Sequence, residues 1–267
     1  MMNEGVQSPL LTAYRVASTL GRPAAAPLLW WRQQRGKEEP ARRSERYGEA
    51  SRPRPEGRVV WVHAASVGET VAAIPLIEAI AARHGAAILL TTGTVTSAEV
   101  AAKRLNGRVT HPYVPLDNVP IIRRFLDHWR PDAAILVESE LWPNLILETA
   151  ARAVPLALVN ARMSERSFRR WQRAPAMIAR LLAGFDLCLA QTPADAARFA
   201  ALGARRVETP GNLKLDAPPP GASAQELAAL SGALGKRPRW LAASIHPGEI
   251  EAVLDAHEKA AAGVEGR

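Results

Sequence analysis

The residues with the most obvious chemistry lie in Trp61-Val62-His63-Ala64-Ala65-Ser66-Val67-Gly68-Glu69-Thr70. A hydrophobic run at 59–62 enters a turn of small residues, and a helix opens near Glu69. Ligands meet the carboxyl ends of strands and the amino ends of helices at such junctions. A carboxylate at the mouth of the turn can take a proton from a bound hydroxyl, the work of a general base. Ser66-x-x-Glu69 equally fits a capping box, with Glu69 reaching back to the Ser66 backbone N–H. A second acidic group, Glu138-Ser139-Glu140, ends an apolar run, where an unpaired carboxylate is expensive to bury. A nearby Arg or a helix start is the ordinary partner for Glu138. Lys214, in Gly211-Asn212-Leu213-Lys214-Leu215-Asp216, reads by residue type alone as a solvated loop lysine.

These residues need elements to hold them, and from residue 58 the chain alternates strand and helix patterns. Strands are expected at 59–62, 87–91, 109–114, 134–137, 156–159, 187–190 and 207–209. Helices are expected at about 70–84, from Gly93-Thr94 onward, at about 119–129, at 142–153, at 164–183 with a break near Pro175, and after Thr192-Pro193. Thr96-x-x-Glu99 suggests a capping box for the second of these. Short strand–helix units of this kind build a parallel, doubly wound sheet, an α/β fold. The loops 64–69, 91–96, 138–143 and 160–166 then fall on its carboxyl edge, as does the Lys214 loop. Residues 217–222, rich in proline, read as a linker. Beyond it come a helix at about 223–234, a strand at 240–244 and a helix starting near Pro247, the opening of a second Rossmann-type domain. One strand and its helices cannot bury a sheet alone, so residues 236–267 are expected to pack poorly.

With 48% hydrophobic residues in 267, the chain has ample material for a core. The one cysteine, Cys188, sits in an apolar run and excludes an internal disulfide. The six histidines form no His-x-x-x-His pair and no Cys/His cluster, so no metal site is expected. The net charge of +8 points to anionic partners. Nine Arg/Lys against five Glu fall in residues 32–58, without the interleaved aromatics of a nucleic-acid surface. Residues 9–31 are largely apolar and end in Trp30-Trp31, so this segment and the basic stretch 32–58 together suggest contact with membrane lipids. Arg15, Arg22, Pro23 and Pro27 interrupt it, which favours an interfacial anchor over a spanning helix or a soluble packing helix. Five segments result: anchor 1–31, basic connector 32–57, first domain 58–216, linker 217–222 and incomplete second domain 223–267.

Six ordered stretches resemble the 3-deoxy-D-manno-octulosonic acid (Kdo) transferase family. They are Glu45-Arg46-Tyr47-Gly48, His63 to Thr70, Glu138-Ser139-Glu140-Leu141-Trp142-Pro143-Asn144, Asn160-Ala161-Arg162-Met163-Ser164, Gly211 to Asp216, and Ala243-Ser244-Ile245-His246-Pro247-Gly248-Glu249. The resemblance implies a membrane-associated, inverting glycosyltransferase of two-domain GT-B architecture, on the cytoplasmic face of a Gram-negative inner membrane. Its donor is CMP-Kdo and its acceptor a lipid A precursor (lipid IVA), with no metal or other cofactor. On that resemblance Glu69 is the general base, and Glu138 and Lys214 are transition-state stabilisers. Lys214 can balance charge on the departing phosphate, while Glu138 either favours a positive sugar centre or orients a neighbouring cation. The family's CMP-binding loops, among them a Pro-Arg-His-Pro-Glu-type motif, have no counterpart here. The chain therefore reads as C-terminally truncated and inactive by itself; as it stands, a non-catalytic lipid-binding domain is the alternative.

Overall fold

The computed structural model describes residues 8–216, 222–235 and 239–265, with side chains through residue 262. The chain divides between Ala217 and Pro218 into two units. The first opens with two helices, α1 (Pro9–Leu20) and α2 (Arg22–Gln34), and a 3-10 helix at Pro40–Tyr47. Then follow β1 (Val59–His63), α3 (Val67–His84), β2 (Ala87–Thr91), α4 (Val95–Leu105), α5 (Val119–Trp129), β3 (Ala133–Val137) and α6 (Pro143–Ala151). The unit continues with β4 (Leu156–Ala161), α7 (Glu165–Trp171), α8 (Pro175–Leu182), β5 (Leu187–Ala190), α9 (Pro193–Ala201) and β6 (Val207–Glu208), ending in a 3-10 turn at Leu213–Asp216.

All six strands are parallel, in the order β2-β1-β3-β4-β5-β6. The sheet is doubly wound because its strands are apolar on both faces. Val59 and Trp61 on β1, Leu89 on β2, and Ala134 and Leu136 on β3 join one core with Phe125 and Trp129. The alternate residues Val62, Ile88, Leu90 and Val137 join the other, with Ile74 and Ile77 of α3. That period of two is what covered faces on both sides require. The order reverses between β1 and β3, which makes their carboxyl ends the switch point where such sheets bind ligands.

Several expectations are corrected. Residues 109–114 form no strand: only the bridges Leu89↔Thr110 and Thr92↔Tyr113 are made. Pro112 between them has no N–H to donate, which breaks a ladder. The segment still covers the β2 edge, with Leu90 N–H donating to Thr110 O at 2.8 Å and Val114 N–H to Thr92 O at 3.0 Å. Helix α4 is capped two residues earlier than expected, by Thr94 with Ser97 in a reciprocal box. The break near Pro175 is real and separates α7 from α8.

The N-terminal segment is two helices rather than one: α1 ends at Leu20, and α2 runs past residue 31 to Gln34. Their inner faces belong to the sheet domain, with Leu11 and Leu29 buried. Tyr14 Oη donates to Asp117 Oδ2 at 2.8 Å, and the Asp117 carboxylate also caps α6 through the amides of Asn144 and Leu145. Arg15, which would be costly in a bilayer, pairs with Glu148 at 2.6 Å. Among the described residues, no helix is long and apolar enough to cross a membrane. The outer faces remain apolar, with Leu10, Val16, Leu20, Leu28, Trp30 and Trp31 exposed.

The basic stretch is divided: Arg35, Lys37, Arg52 and Arg58 are exposed, while other arginines are committed to the fold. Arg32 and Arg46 both pair with buried Glu38, Arg42 pairs with Glu45, and Arg54 donates to the carbonyls of Trp129 and Arg130. Gly48 closes this segment at φ 75°, where a side chain would meet Ile121 O at 2.4 Å.

The second unit contains α10 (Ala224–Leu234) and α11 (Ile250–Glu265), the latter preceded by a 3-10 turn at Pro247–Glu249. Residues 240–244 are not a strand. A strand's amides and carbonyls need a paired neighbour, and among the described residues this segment has none. Trp240, Leu241, Ile250 and Leu254 stay exposed, in keeping with the expected poor packing. Most of the expected linker, 217–221, lies outside the described residues, as do 236–238.

Candidate active site

The loops after β1 and β3 meet at the switch point. Ser66 caps α3, its Oγ accepting from the Glu69 amide at 3.3 Å. Glu69 returns two bonds: Oε1 accepts from Ser66 Oγ at 2.8 Å, and Oε2 from the Ala65 amide at 2.8 Å. The expected bond to the Ser66 N–H is thus made one residue earlier, to Ala65. Glu69 is only 8% exposed. Burial pushes its pKa above the ordinary 4.5; the bonds from Ser66 and Ala65 oppose this, and the charges of Glu140 and Glu138 add to it. Glu69 thus caps α3 and carries a carboxyl of raised basicity.

The β1 loop is braced from β2. The Gly93 amide donates to Ala65 O at 3.0 Å, and a Cβ at Gly93 would stand 2.8 Å from that same oxygen. Only glycine permits the approach.

Glu138 follows β3 in the left-handed region, at φ 62°. For a residue with a Cβ this conformation is uncommon and persists only where its surroundings impose it. Lys214 Nζ lies 2.7 Å from Glu138 Oε1, a close ion pair at angles too oblique for a hydrogen bond. The structure therefore brings two of the three expected residues into contact, and neither reading of the isolated residues foresaw it: the partner of Glu138 is a lysine rather than an arginine, and Lys214 is not free. Asn160, at the end of β4 with φ 57°, positions that lysine's turn by accepting the Leu213 amide at 2.9 Å.

Three groups were not picked out from the sequence as individual site residues. His63 is fully buried; its Nδ1 lies 3.1 Å from Thr91 O, and its Nε2 faces Glu140 Oε2 at 3.4 Å. The same Glu140 oxygen accepts from the indole N–H of Trp142. Burial raises the Glu140 pKa, but the bonds and charge from His63 and the bond from Trp142 outweigh it and hold the carboxyl below its usual range. Glu69 and Glu140 are thus pushed in opposite directions. The signal for His63 was its place at a strand's carboxyl end. Its partner could not be read from spacing.

Two cavities share Glu140 and Trp142. One, of about 260 Å³, runs from His63, Ala65 and Glu140 to the apolar side chains of Leu28, Leu29, Leu116 and Leu145. The other, of about 240 Å³, lies between the β3–α6 and β4–α7 loops. A larger cavity of about 610 Å³ lies apart from Glu69, between α4 and the Arg42–His111–Tyr113 corner.

A doubly wound α/β domain with an acidic cluster and one paired lysine at its switch point belongs to the class of α/β folds that bind ligands at that edge. The comparisons narrow the class. The sequence model of a family described as 3-deoxy-D-manno-octulosonic-acid transferase (kdotransferase) matches residues 41–217. A probable mitochondrial 3-deoxy-D-manno-octulosonic acid transferase of Arabidopsis thaliana is 38% identical over 85% of this chain and 53% of its own. The 3-deoxy-D-manno-octulosonic acid transferases of Rickettsia bellii and Bordetella pertussis are 33% and 38% identical, over 92% and 91% of this chain. The chain belongs to the Kdo transferase family, a family of glycosyltransferases. It spans 53–60% of the length of these three relatives.

Proposed function

We propose that this chain is the acceptor-binding half of an inverting GT-B Kdo transferase. It acts on a lipid A precursor (lipid IVA) with CMP-Kdo as donor, at the cytoplasmic face of a Gram-negative inner membrane. Glu69 takes the proton of the acceptor hydroxyl as its oxygen bonds to the anomeric carbon of Kdo. The bond from that carbon to the phosphate breaks, and its electron pair leaves with CMP. One displacement gives one inversion. Lys214 balances the charge arriving on the phosphate, so the proposed step uses no metal ion. The Glu138–Lys214 contact of 2.7 Å supports Glu138 as the group that orients this cation.

The observation that carries the reading is the buried Glu69 carboxylate, more basic than usual, at the switch point of a domain of this family. In a transfer assay on a longer polypeptide that carries this chain, Glu69→Gln should lower turnover by about a hundredfold or more. Turnover like that of the unaltered protein would overturn the assignment.

The cavity walled by Leu28, Leu29, Leu116 and Leu145 supports a lipid acceptor, since it joins apolar walls to Glu140. The exposed face of Leu28, Trp30 and Trp31 supports interfacial contact with lipid. Deleting residues 1–31 would also remove buried Leu11 and Leu29, so the cleaner test replaces Trp30 and Trp31 with serine. Partitioning onto anionic vesicles should weaken at least about tenfold. Unchanged co-sedimentation would remove these residues from the contact.

A further inference from the structure

We propose that the cavity between the β3–α6 and β4–α7 loops is a subsite for one sugar ring bearing an anionic group, with Trp142 and Trp171 as walls and Arg162 as the anchor. The proposal deepens the reading above and rests on it. The cavity is lined by Glu140, Trp142, Arg162, Ser167 and Trp171 among others, and its volume is about 240 Å³. Pockets that hold drug-sized ligands measure about 300–1,000 Å³, so this one suits a single ring with the rest of the ligand outside.

Its lining fits a sugar. Trp142 is 45% exposed, yet its N–H bond to Glu140 keeps the ring from swinging freely. An indole face held open to solvent matches the C–H face of a pyranose, whose hydroxyls point outward to polar groups. Glu140 uses Oε2 for both His63 and Trp142, and among the described residues Oε1 has no protein donor. That oxygen is available to a sugar hydroxyl.

Arg162 is the single cation in the lining. Among the described residues it makes no ion pair, whereas its neighbours Arg169 and Arg198 both pair with Glu165. Its backbone is tied from both sides. Ser139 Oγ donates to the Arg162 carbonyl. The next residue, Met163, donates its amide to Asp195 at 2.8 Å and accepts from Arg198 at 2.8 Å. An uncommitted guanidinium on a pinned turn is available as a fork for a phosphate or carboxylate. In the proposed reaction that group is either a phosphate on the acceptor or the carboxylate of the transferred octulosonic acid.

Calorimetric titration of the 267-residue chain separates these sources, using a phosphorylated glucosamine disaccharide, its phosphate-free form and free Kdo. If Arg162 holds a phosphate, Arg162→Met weakens the phosphorylated disaccharide at least about tenfold and leaves the phosphate-free form unchanged. If it holds a carboxylate, only Kdo binding falls by that factor. Either result supports the subsite. Equal weakening of all three ligands, no weakening of any, or no binding to the unaltered chain at millimolar ligand overturns it. An unaltered chain that shows no preference for the charged ligands, while turnover still depends on Glu69, would overturn the subsite alone. Selectivity retained while turnover ignores Glu69 would overturn the base alone.

Discussion

The 3-10 segment Pro40–Tyr47 and the loops after β1 and β3 both bury carboxylates, but they pair them differently. In the first region Glu38 meets Arg32 at 2.7 Å and Arg46 at 2.9 Å, while Glu45 meets Arg42 at 3.0 Å and the Tyr113 amide at 2.7 Å. Arg46 also donates to Val114 O and Gly93 O, so it ties three segments together. In the second region Glu69, Glu138 and Glu140 share one lysine and one histidine, and Glu138 stands in a left-handed conformation. Saturated pairing makes a scaffold. Incomplete pairing leaves charge free to respond to a ligand, and the proposed chemistry falls where the pairing is thin.

The comparison breaks most visibly at Arg46. Arg46→Met would leave Glu38, whose side chain is 2% exposed, without one of its two cations. Breaking a buried pair from one side typically costs about 3–5 kcal/mol. Urea unfolding should show a loss of that order, and a change below about 1 kcal/mol would mean that Arg32 alone satisfies Glu38.

Lys214→Met tests the opposite region. The lysine side chain is 46% exposed, so the pair adds little to stability, within about 1 kcal/mol. Transfer should nevertheless fall about a hundredfold or more, as when one donor to a developing anion is removed. A variant that unfolds readily, or one that turns over normally, would place Lys214 with the scaffold.

The smallest effect is on pH. Because burial raises the Glu69 pKa, the acid limb of kcat/KM should lie above the ordinary glutamate value of 4.5. Glu140→Gln removes one of the two charges that add to this rise, so the limb should move toward lower pH. A limb that does not move would show that the two carboxylates do not communicate. Stability follows the same linkage. A folded-state pKa raised above the unfolded value gives stability that is full below the unfolded pKa and is lost as pH rises through the folded one. Glu69→Gln should therefore gain on the unaltered chain as pH climbs from acid to neutral, measured by urea midpoints.

Much of this is legible in the sequence. The strands at 59–62, 87–91, 134–137, 156–159 and 187–190 announce themselves by short apolar runs between turn residues, and parallel order follows from the helices between them. Ser66 and Glu69 were legible as a cap because capping is local. The strand expected at 109–114 failed because Pro112 outweighs apolar neighbours once a ladder must donate. The one at 240–244 failed because a strand exists only with a partner. In residues 9–31 hydropathy alone cannot tell an apolar residue that packs inward, such as Leu11 or Leu29, from one that faces water, such as Trp30.

By itself, then, the sequence determined which loops reach the carboxyl edge of the sheet and which ionisable residues they carry, since alternation and capping act within a few residues of chain. Tertiary structure alone decided that Lys214 meets Glu138, that His63 meets Glu140, and that Arg46 reaches the carbonyls of Gly93 and Val114. Those contacts join residues distant in the chain. The free energy of a buried charge depends on what surrounds it in space, and no spacing along the chain records that.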